Sequence, residues 1–202
     1  MDLQGLSLPS APHVYPLRED SFLLAEAAQV HPGERVLEVG CGLGLASLAA
    51  ARQHASVLAV DVNPYALRAV CTAARERGLE VSAVRTYLLD GVGQFDAILF
   101  NPPYLPTRDA DRDPDPWVDC ALNGGPDGLA VTRRFLRHVR AHLAPTGRAY
   151  LVLSRVKGQK GEPLDALEWC LGGLETSIAA RRRVEGEDLV VVELRPGPGA
   201  RS

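Results

Sequence analysis

Apolar residues along this chain fall into two alternating kinds of segment. Short blocks are mostly apolar: Val36–Val39, Val57–Val60, Val81–Arg85, Phe95–Phe100 and Ala149–Leu153. Such blocks predict strands covered on both faces, as in a parallel sheet. Longer segments between them carry helical spacing. Asp20–Val30 places Leu23, Leu24, Ala27 and Ala28 on one side, with Asp20 as cap and His31-Pro32-Gly33 as stop. Leu45–Arg52 reads as a helix, and Pro64 opens another that runs to Arg77 and stops before Gly78. Asp127–Leu143 carries a stripe of Leu129, Thr132, Leu136, Val139 and Leu143, followed by a turn at Pro145-Thr146-Gly147. Pro163–Leu171 is a further predicted helix. Thr176–Arg183 and Leu189–Leu194 are strands joined by a hairpin turn at Val184–Glu187.

Alternating strands and helices predict an α/β fold: a mostly parallel seven-stranded sheet, an antiparallel last strand and helices on both faces. Residues 1–19, with Pro9, Pro12 and Pro16, read as an extended lead-in to a domain over 20–195. Residues 196–202 read as a loose tail. Residues 105–126 hold prolines, aspartates, Trp117 and Gly124-Gly125, and read as one long loop. Loops of that length in compact domains usually serve function.

Composition adds bounds rather than chemistry. The 202 residues are 46% hydrophobic, which supports one buried core and argues against disorder. A formal net charge of -3 lacks the basic excess of a free nucleic-acid binder. Neither a signal segment nor a membrane-length apolar run is present, so the cytoplasm is the expected compartment. Cys41, Cys71, Cys120 and Cys170 form no Cys-x-x-Cys pair, and the histidines form no ligand set. No metal site is expected.

The chemistry sits in two segments. Gly40, Gly42 and Gly44 follow the first strand and open a helix; residues without Cβ permit a tight turn and let a ligand approach the backbone. Asp61 ends the next strand, where a carboxylate can accept hydrogen bonds from ribose hydroxyls. The turn alone suits a dinucleotide or S-adenosylmethionine. Glu38 favours the second, because a carboxylate there would oppose a pyrophosphate but serve a cationic amino-acid end. The spacing Gly-x-Gly-x-Gly also departs from Gly-x-Gly-x-x-Gly. The expected fold is therefore that of the class I S-adenosylmethionine-dependent methyltransferases.

Asn101-Pro102-Pro103-Tyr104 closes the fourth strand, beside the glycine turn. Two prolines fix the backbone and remove two donors. The Asn101 side-chain oxygen and the Pro102 carbonyl remain as acceptors, with Tyr104 as a flat wall. That set suits a planar NH2 group, held so that its nitrogen faces a methyl donor. The lone pair of such a nitrogen is delocalised, so orientation and electrostatics must supply much of the rate.

These segments resemble the HemK-like methyltransferases, which methylate the glutamine of the Gly-Gly-Gln motif in translation release factors. The short eukaryotic and archaeal form is the nearer match, over about residues 14–195. Val14–Leu24 resembles the family's opening segment over the cofactor pocket, with Glu19, Asp20 and Ser21 its most characteristic part and Tyr15 beside them. Glu38, Gly40, Gly42, Gly44 and Asp61 match its cofactor residues, as does Asn63-Pro64 after the acid. Asn101–Tyr104 matches its catalytic motif, with Asn101, Pro102 and Tyr104 as catalytic residues, Pro103 completing the substrate contact and Asn101 also reaching the cofactor. Gly124-Gly125-x-x-Gly128 and Glu187-Asp188-Leu189 match later features. One departure stands out. The family usually has Thr-Asp-Leu after the third strand, its acid near the adenine; here it is Thr86-Tyr87-Leu88. Either Tyr87 borders the adenine or Asp90 folds back to replace the acid.

The resemblance implies a release factor as protein substrate and, for the short form, a small zinc-binding activator protein as partner. Arg133, Arg137 and Arg140 on one helix, and Arg181–Arg183 on a strand, read as solvated faces or as RNA contacts. N-methylation of an exocyclic base amine in RNA or DNA is the competing function, and a non-catalytic protein with this fold the third reading.

Overall fold

The computed structural model describes residue 3 and residues 5–156, 164–184 and 186–197. Seven strands run β1 (Arg35–Val39), β2 (Ser56–Asp61), β3 (Val81–Arg85), β4 (Phe95–Phe100), β5 (Leu143–Val156), β6 (Leu174–Val184) and β7 (Glu187–Pro196). Among the described residues, five α-helices run α1 (Glu19–Ala27), α2 (Leu45–Arg52), α3 (Pro64–Glu76), α4 (Pro116–Leu122) and α5 (Ala130–Val139). The strands form one sheet in the order β3-β2-β1-β4-β5-β7-β6. β1 pairs in parallel with β2 and β4, β2 with β3, and β4 with β5. The last strand, β7, lies antiparallel between β5 and β6, as the hairpin signal predicts.

Both faces of the central strands β1, β4 and β5 are buried, whereas β3 and β6 at the edges are largely exposed. Val36, Leu99, Tyr150 and Val152 pack with α1 and α2, while Leu37, Ile98, Phe100 and Leu151 pack with Phe135, Leu136 and Val139 of α5. This alternation explains the mostly apolar blocks. The chain leaves β1 toward β3 and then returns to β4 on the other side of β1. Ligands of open α/β sheets bind at such a reversal, outside the carboxyl ends of the strands.

Several boundaries differ from expectation. The predicted loop over 105–126 contains α4, with Asp115 Oδ1 accepting from Trp117 N at 2.9 Å and Pro116 in the first turn. The loop is closed at its base, where Leu105 N donates to Leu122 O and Gly124 N to Leu105 O. α5 begins at Ala130, not Asp127, because Gly128 holds a left-handed φ of 76°. The same segment leaves α-geometry at Val139 and ends in a 3-10 turn, Arg140–His142. α1 ends at Ala27, since Ala28 is already extended. The expected turn at 145–147 is a bulge inside β5: Phe95 pairs with Leu143, but Ala97 with Arg148. Asp165–Cys170 is a 3-10 helix, and Pro163 at the start of the predicted α-helix lies outside the described residues, as do 198–202 of the expected tail. No described helix is long and apolar enough to cross a membrane.

Candidate active site

A cleft of about 550 Å³ opens at the carboxyl ends of β1, β2 and β4. Its floor is the turn after β1. Gly40, Gly42 and Gly44 all hold left-handed backbone, with φ of 62°, 51° and 80°. Gly40 and Gly42 line the cleft, whereas Gly44 does not. Gly44 is the hinge into α2, where an added Cβ would lie 2.3 Å from Val70 Cγ2. Only glycine satisfies both the backbone and that packing.

Two carboxylates stand beside the turn. Glu38 is buried, and its Oε2 accepts from Ser47 N at 2.8 Å and from the Ser47 hydroxyl. It thereby serves a donor in the first turn of α2 that has no partner within the helix. Burial pushes the Glu38 carboxyl up to about 7, against the Ser47 bonds that lower it. Asp61 Oδ2 accepts from Gly42 N at 3.1 Å and Oδ1 from Asn63 N at 2.8 Å. Burial raises this carboxyl too, and the backbone N–H groups of Asn63 and Gly42 offset only part of that. No cation pairs with either carboxylate among the described residues. Each carboxylate keeps lone pairs that these bonds do not use, so further donors can be accepted.

The lead-in crosses this site. Val14, Tyr15 and Leu17 line the cleft. His13 ties the segment to both neighbouring helix starts: its carbonyl accepts from Asn63 Nδ2 at 2.7 Å, and its Nδ1 lies 2.6 Å from Asp115 Oδ2. Asp20 and Ser21 also border the cleft. Asp20 Oδ1 accepts from Ser21 N at 2.6 Å, and Asp20 Oδ2 accepts from Tyr104 Oη at 2.9 Å. The start of α1 is thus bonded to the segment after β4. Burial, then the Asp20 charge, raises the Tyr104 hydroxyl above its ordinary range, so it remains a proton donor. Glu19 is not brought to the cleft; it pairs with Arg182 Nη1 at 2.9 Å on the surface.

Asn101, Pro102, Pro103 and Tyr104 form the wall after β4. Asn101 Oδ1 is buried and has no hydrogen-bond partner among the described residues. Leaving an acceptor in that state costs about 1–3 kcal/mol. The arrangement fits a ligand or substrate that brings an N–H group. The wall rests on Gly128, where an added Cβ would meet Tyr104 O at 2.3 Å. That contact gives the Gly124-Gly125-x-x-Gly128 pattern a physical reason.

Tyr87 lines the cleft beyond Asp61, between Thr86 and Leu88. Asp90 does not; it borders a separate depression of about 200 Å³. The acid therefore does not fold back to replace a missing carboxylate. The structure adds residues that the sequence reading left out of the site: Trp117, Cys120, Ala121 and Leu122 from α4, and Glu187 at the start of β7. Glu187 Oε2 accepts from Ser154 Oγ at 2.6 Å. The Asp115-Pro116 pair was the available signal for α4.

Residues 17–113 match the family model of the methyltransferase small domain. A Methanocaldococcus jannaschii protein, provisionally named a protein N5-glutamine methyltransferase, is 35% identical over 194 residues, covering 95% of this chain and 96% of that one. Mouse methyltransferase HEMK2 is 34% identical over 152 residues, 69% of this chain and 71% of that one. The release factor glutamine methyltransferase of Deinococcus radiodurans is 44% identical over 127 residues, 59% of this chain and 45% of that one. The chain spans about half the length of several such enzymes. Solved structures that share the fold include the following two. One is E. cuniculi Mtq2 from its complex with Trm112, a complex responsible for methylation of the termination factor eRF1 (TM-score 0.69, 24% identity, 92% of this chain and 99% of that one). The other is a methyltransferase from Pyrococcus furiosus (TM-score 0.72, 20% identity, 96% and 91%). With the near full-length match to the archaeal protein and the motif-bearing cleft, the chain belongs to the HemK-like protein-glutamine N-methyltransferase family, on a class I methyltransferase fold.

Proposed function

We propose that this chain methylates the side-chain amide nitrogen of a glutamine in a translation release factor, with S-adenosylmethionine bound in the cleft. The observation that carries this reading is the buried, unpartnered Asn101 Oδ1 beside Pro102 at the cleft wall. When bound, S-adenosylmethionine supplies an electrophilic methyl group on a cationic sulfur. Asp61 would accept from the ribose hydroxyls, Glu38 would face the cationic amino-acid end, and Gly40 and Gly42 would let the backbone approach. Tyr15, Asp20 and Ser21 would cover the pocket.

Asn101 Oδ1 and the Pro102 carbonyl take the two amide hydrogens, which turns the nitrogen's face toward the methyl donor. Pro103 keeps the segment rigid, and Tyr104, fixed by Asp20, forms the flat wall. Acceptors on the hydrogens would favour the positive charge developed on nitrogen, one of whose two protons must leave to solvent once the nitrogen has accepted the methyl group. Orientation supplies the rest.

The segment that carries α4 favours a peptide over a nucleic acid, because its two arginines, Arg108 and Arg112, are already paired with Asp111 and Asp119. The arginines offered as RNA contacts are also engaged: Arg133 with Asp127, Arg137 over the Trp169 ring, Arg140 on Gly172 O, and Arg182 and Arg183 with acids. This reading places the enzyme where translation terminates, in the cytoplasm, and includes a small zinc-binding activator as partner.

The test is methyl transfer from labelled cofactor, with and without such an activator. Release factor, transfer RNA and DNA are offered separately. The expected result is label on the release factor, lost in Asn101→Ala. Label on nucleic acid alone would overturn the substrate; no binding of S-adenosylmethionine would overturn the enzyme reading.

A further inference from the structure

The far end of the cleft is built differently from its centre. Asp61 ends β2 and marks the position of a ribose. A base attached to that ribose would lie toward the end of β3, which neighbours β2 on the side away from β1 and its glycine turn. Thr86, Tyr87 and Leu88 line the cleft there, and no carboxylate does. The three residues form a tight turn. Leu88 holds a left-handed φ of 51°, Asp90 N donates to Tyr87 O at 3.1 Å, and Thr86 Oγ1 donates to Asp90 O at 2.8 Å. Left-handed backbone costs a leucine about 1–2 kcal/mol, so the surrounding bonds must hold the turn in shape.

The Tyr87 ring has a brace. The guanidinium of Arg134, from α5, lies 4.7 Å from its centroid. Arg134 does not border the cleft; it borders the neighbouring depression with His138 and His142. A cation over a ring face holds the ring without occupying the space the ring borders.

We propose that Tyr87, braced by Arg134, is the base-recognition wall of this cleft, and that it reads the flat face of the purine rather than its 6-amino group. Tyr87 is the specificity-determining residue and Arg134 its positioning residue. A carboxylate acceptor would reward the 6-amino hydrogens and penalise a base that lacks them. An aromatic face rewards any flat ring. This inference rests on the methyltransferase reading and adds to it a relaxed choice of base.

The test is calorimetric binding to the purified chain, free of any activity readout. The probes are S-adenosylhomocysteine and its analogue with hydrogen in place of the 6-amino group. For the parent chain the two should bind within about twofold of each other. Tyr87→Phe should keep both affinities, since the face is retained. Tyr87→Ala should weaken both by about tenfold, in line with loss of one base–aromatic stack. Arg134→Ala should weaken both by about two- to fivefold, with partial recovery in Arg134→Lys. Tyr87→Asp should restore a preference for the amino form. Unchanged affinity in Tyr87→Ala, or a tenfold preference for the amino form in the parent, would overturn the inference while leaving the enzyme reading intact. Failure of the parent to bind S-adenosylhomocysteine at all would overturn both. Circular dichroism of each variant separates lost binding from lost fold.

Discussion

The two ends of the sheet treat buried polar groups in opposite ways. At the amino end, Arg148 at the bulge of β5 is buried and engaged through both terminal nitrogens. Its Nη1 donates to Glu34 Oε1 at 2.9 Å and to Asp96 O at 3.3 Å, and its Nη2 to Glu34 Oε2 at 2.8 Å and to Gln29 O. Burial alone would raise the Glu34 carboxyl, but the bonds from Arg148 and the His31 N–H outweigh it and hold Glu34 low. The Arg35 N–H, and then its guanidinium, hold Asp96 low as well. At the carboxyl end, burial raises Glu38 and Asp61, no cation answers them, and Asn101 Oδ1 has no donor. In its charges, one end is complete without a ligand and the other is not. Tyr150 Oη and Thr132 Oγ1 also lack partners among the described residues, so it is the unanswered carboxylates beside Asn101 that mark the site.

The largest expected effect is at the complete end. Arg148→Ala leaves Glu34 without its guanidinium and should cost about 3–5 kcal/mol of stability. Denaturant unfolding measures this, and the folded fraction should retain the parent's affinity for S-adenosylmethionine. A loss below about 1 kcal/mol would mean that the pair does not hold the amino end together.

The incomplete end should show the reverse. Asn101→Ala removes an acceptor that the fold itself leaves unsatisfied. Methyl transfer should fall about 10²–10³-fold, as for loss of one preorganised transition-state contact, while the melting temperature stays level or rises. A large loss of stability in Asn101→Ala would show that the oxygen has a structural partner and would break the contrast.

The contrast also explains what was legible in the sequence. The strands of both ends were, because short, mostly apolar runs such as Val57–Val60 and Ala97–Phe100 read as buried strands. The carboxyl-end site was legible because glycines, prolines and an acid at strand ends have few structural reasons to be there. The amino-end network was not. Arg148, Glu34 and Asp96 are far apart in the chain, and a bulge in β5 aligns them, replacing a turn that Pro145-Thr146-Gly147 suggested. α4 was missed because seven residues give too short a period to see, although Asp115-Pro116 announced it. Glu19 read as a cofactor residue from its neighbours, but the helical turn that brings Asp20 to Tyr104 sends Glu19 toward Arg182.

A third variant tests whether the site's rigidity is borrowed from its surroundings. Gly128 lies against the Tyr104 backbone in left-handed conformation. Gly128→Ala should cost about 1–3 kcal/mol through overpacking. It should also reduce kcat about tenfold or more by shifting Tyr104, with cofactor affinity unchanged. Loss of cofactor affinity in step with kcat would show that the two walls move as one.

The smallest expected effect is a pH dependence at Glu38. In the fold this carboxyl is raised from 4.5 to about 7. Between those values the folded chain binds more protons than the unfolded one, so Glu38 makes stability fall as pH rises from 4.5 to 7, and the penalty is complete above that. Glu34 and Asp96 behave oppositely: their contribution is full above the ordinary carboxylate range and is lost as pH falls through their lowered values. A cationic amino-acid end beside Glu38 favours its carboxylate. Binding S-adenosylmethionine near pH 6.5 should therefore release protons, and affinity should climb through pH 7. Each unit by which the ligand lowers the Glu38 value is worth about tenfold in affinity between the two limits. The climb should reverse near pH ~8, where an α-amino group loses its own charge. Calorimetry in two buffers of different ionisation heat counts the protons. Glu38→Gln should abolish the release and flatten the rise on the acid side, leaving only the fall above pH ~8. Proton release that persists in Glu38→Gln would move the titrating group to Asp61, the other raised carboxyl in the cleft.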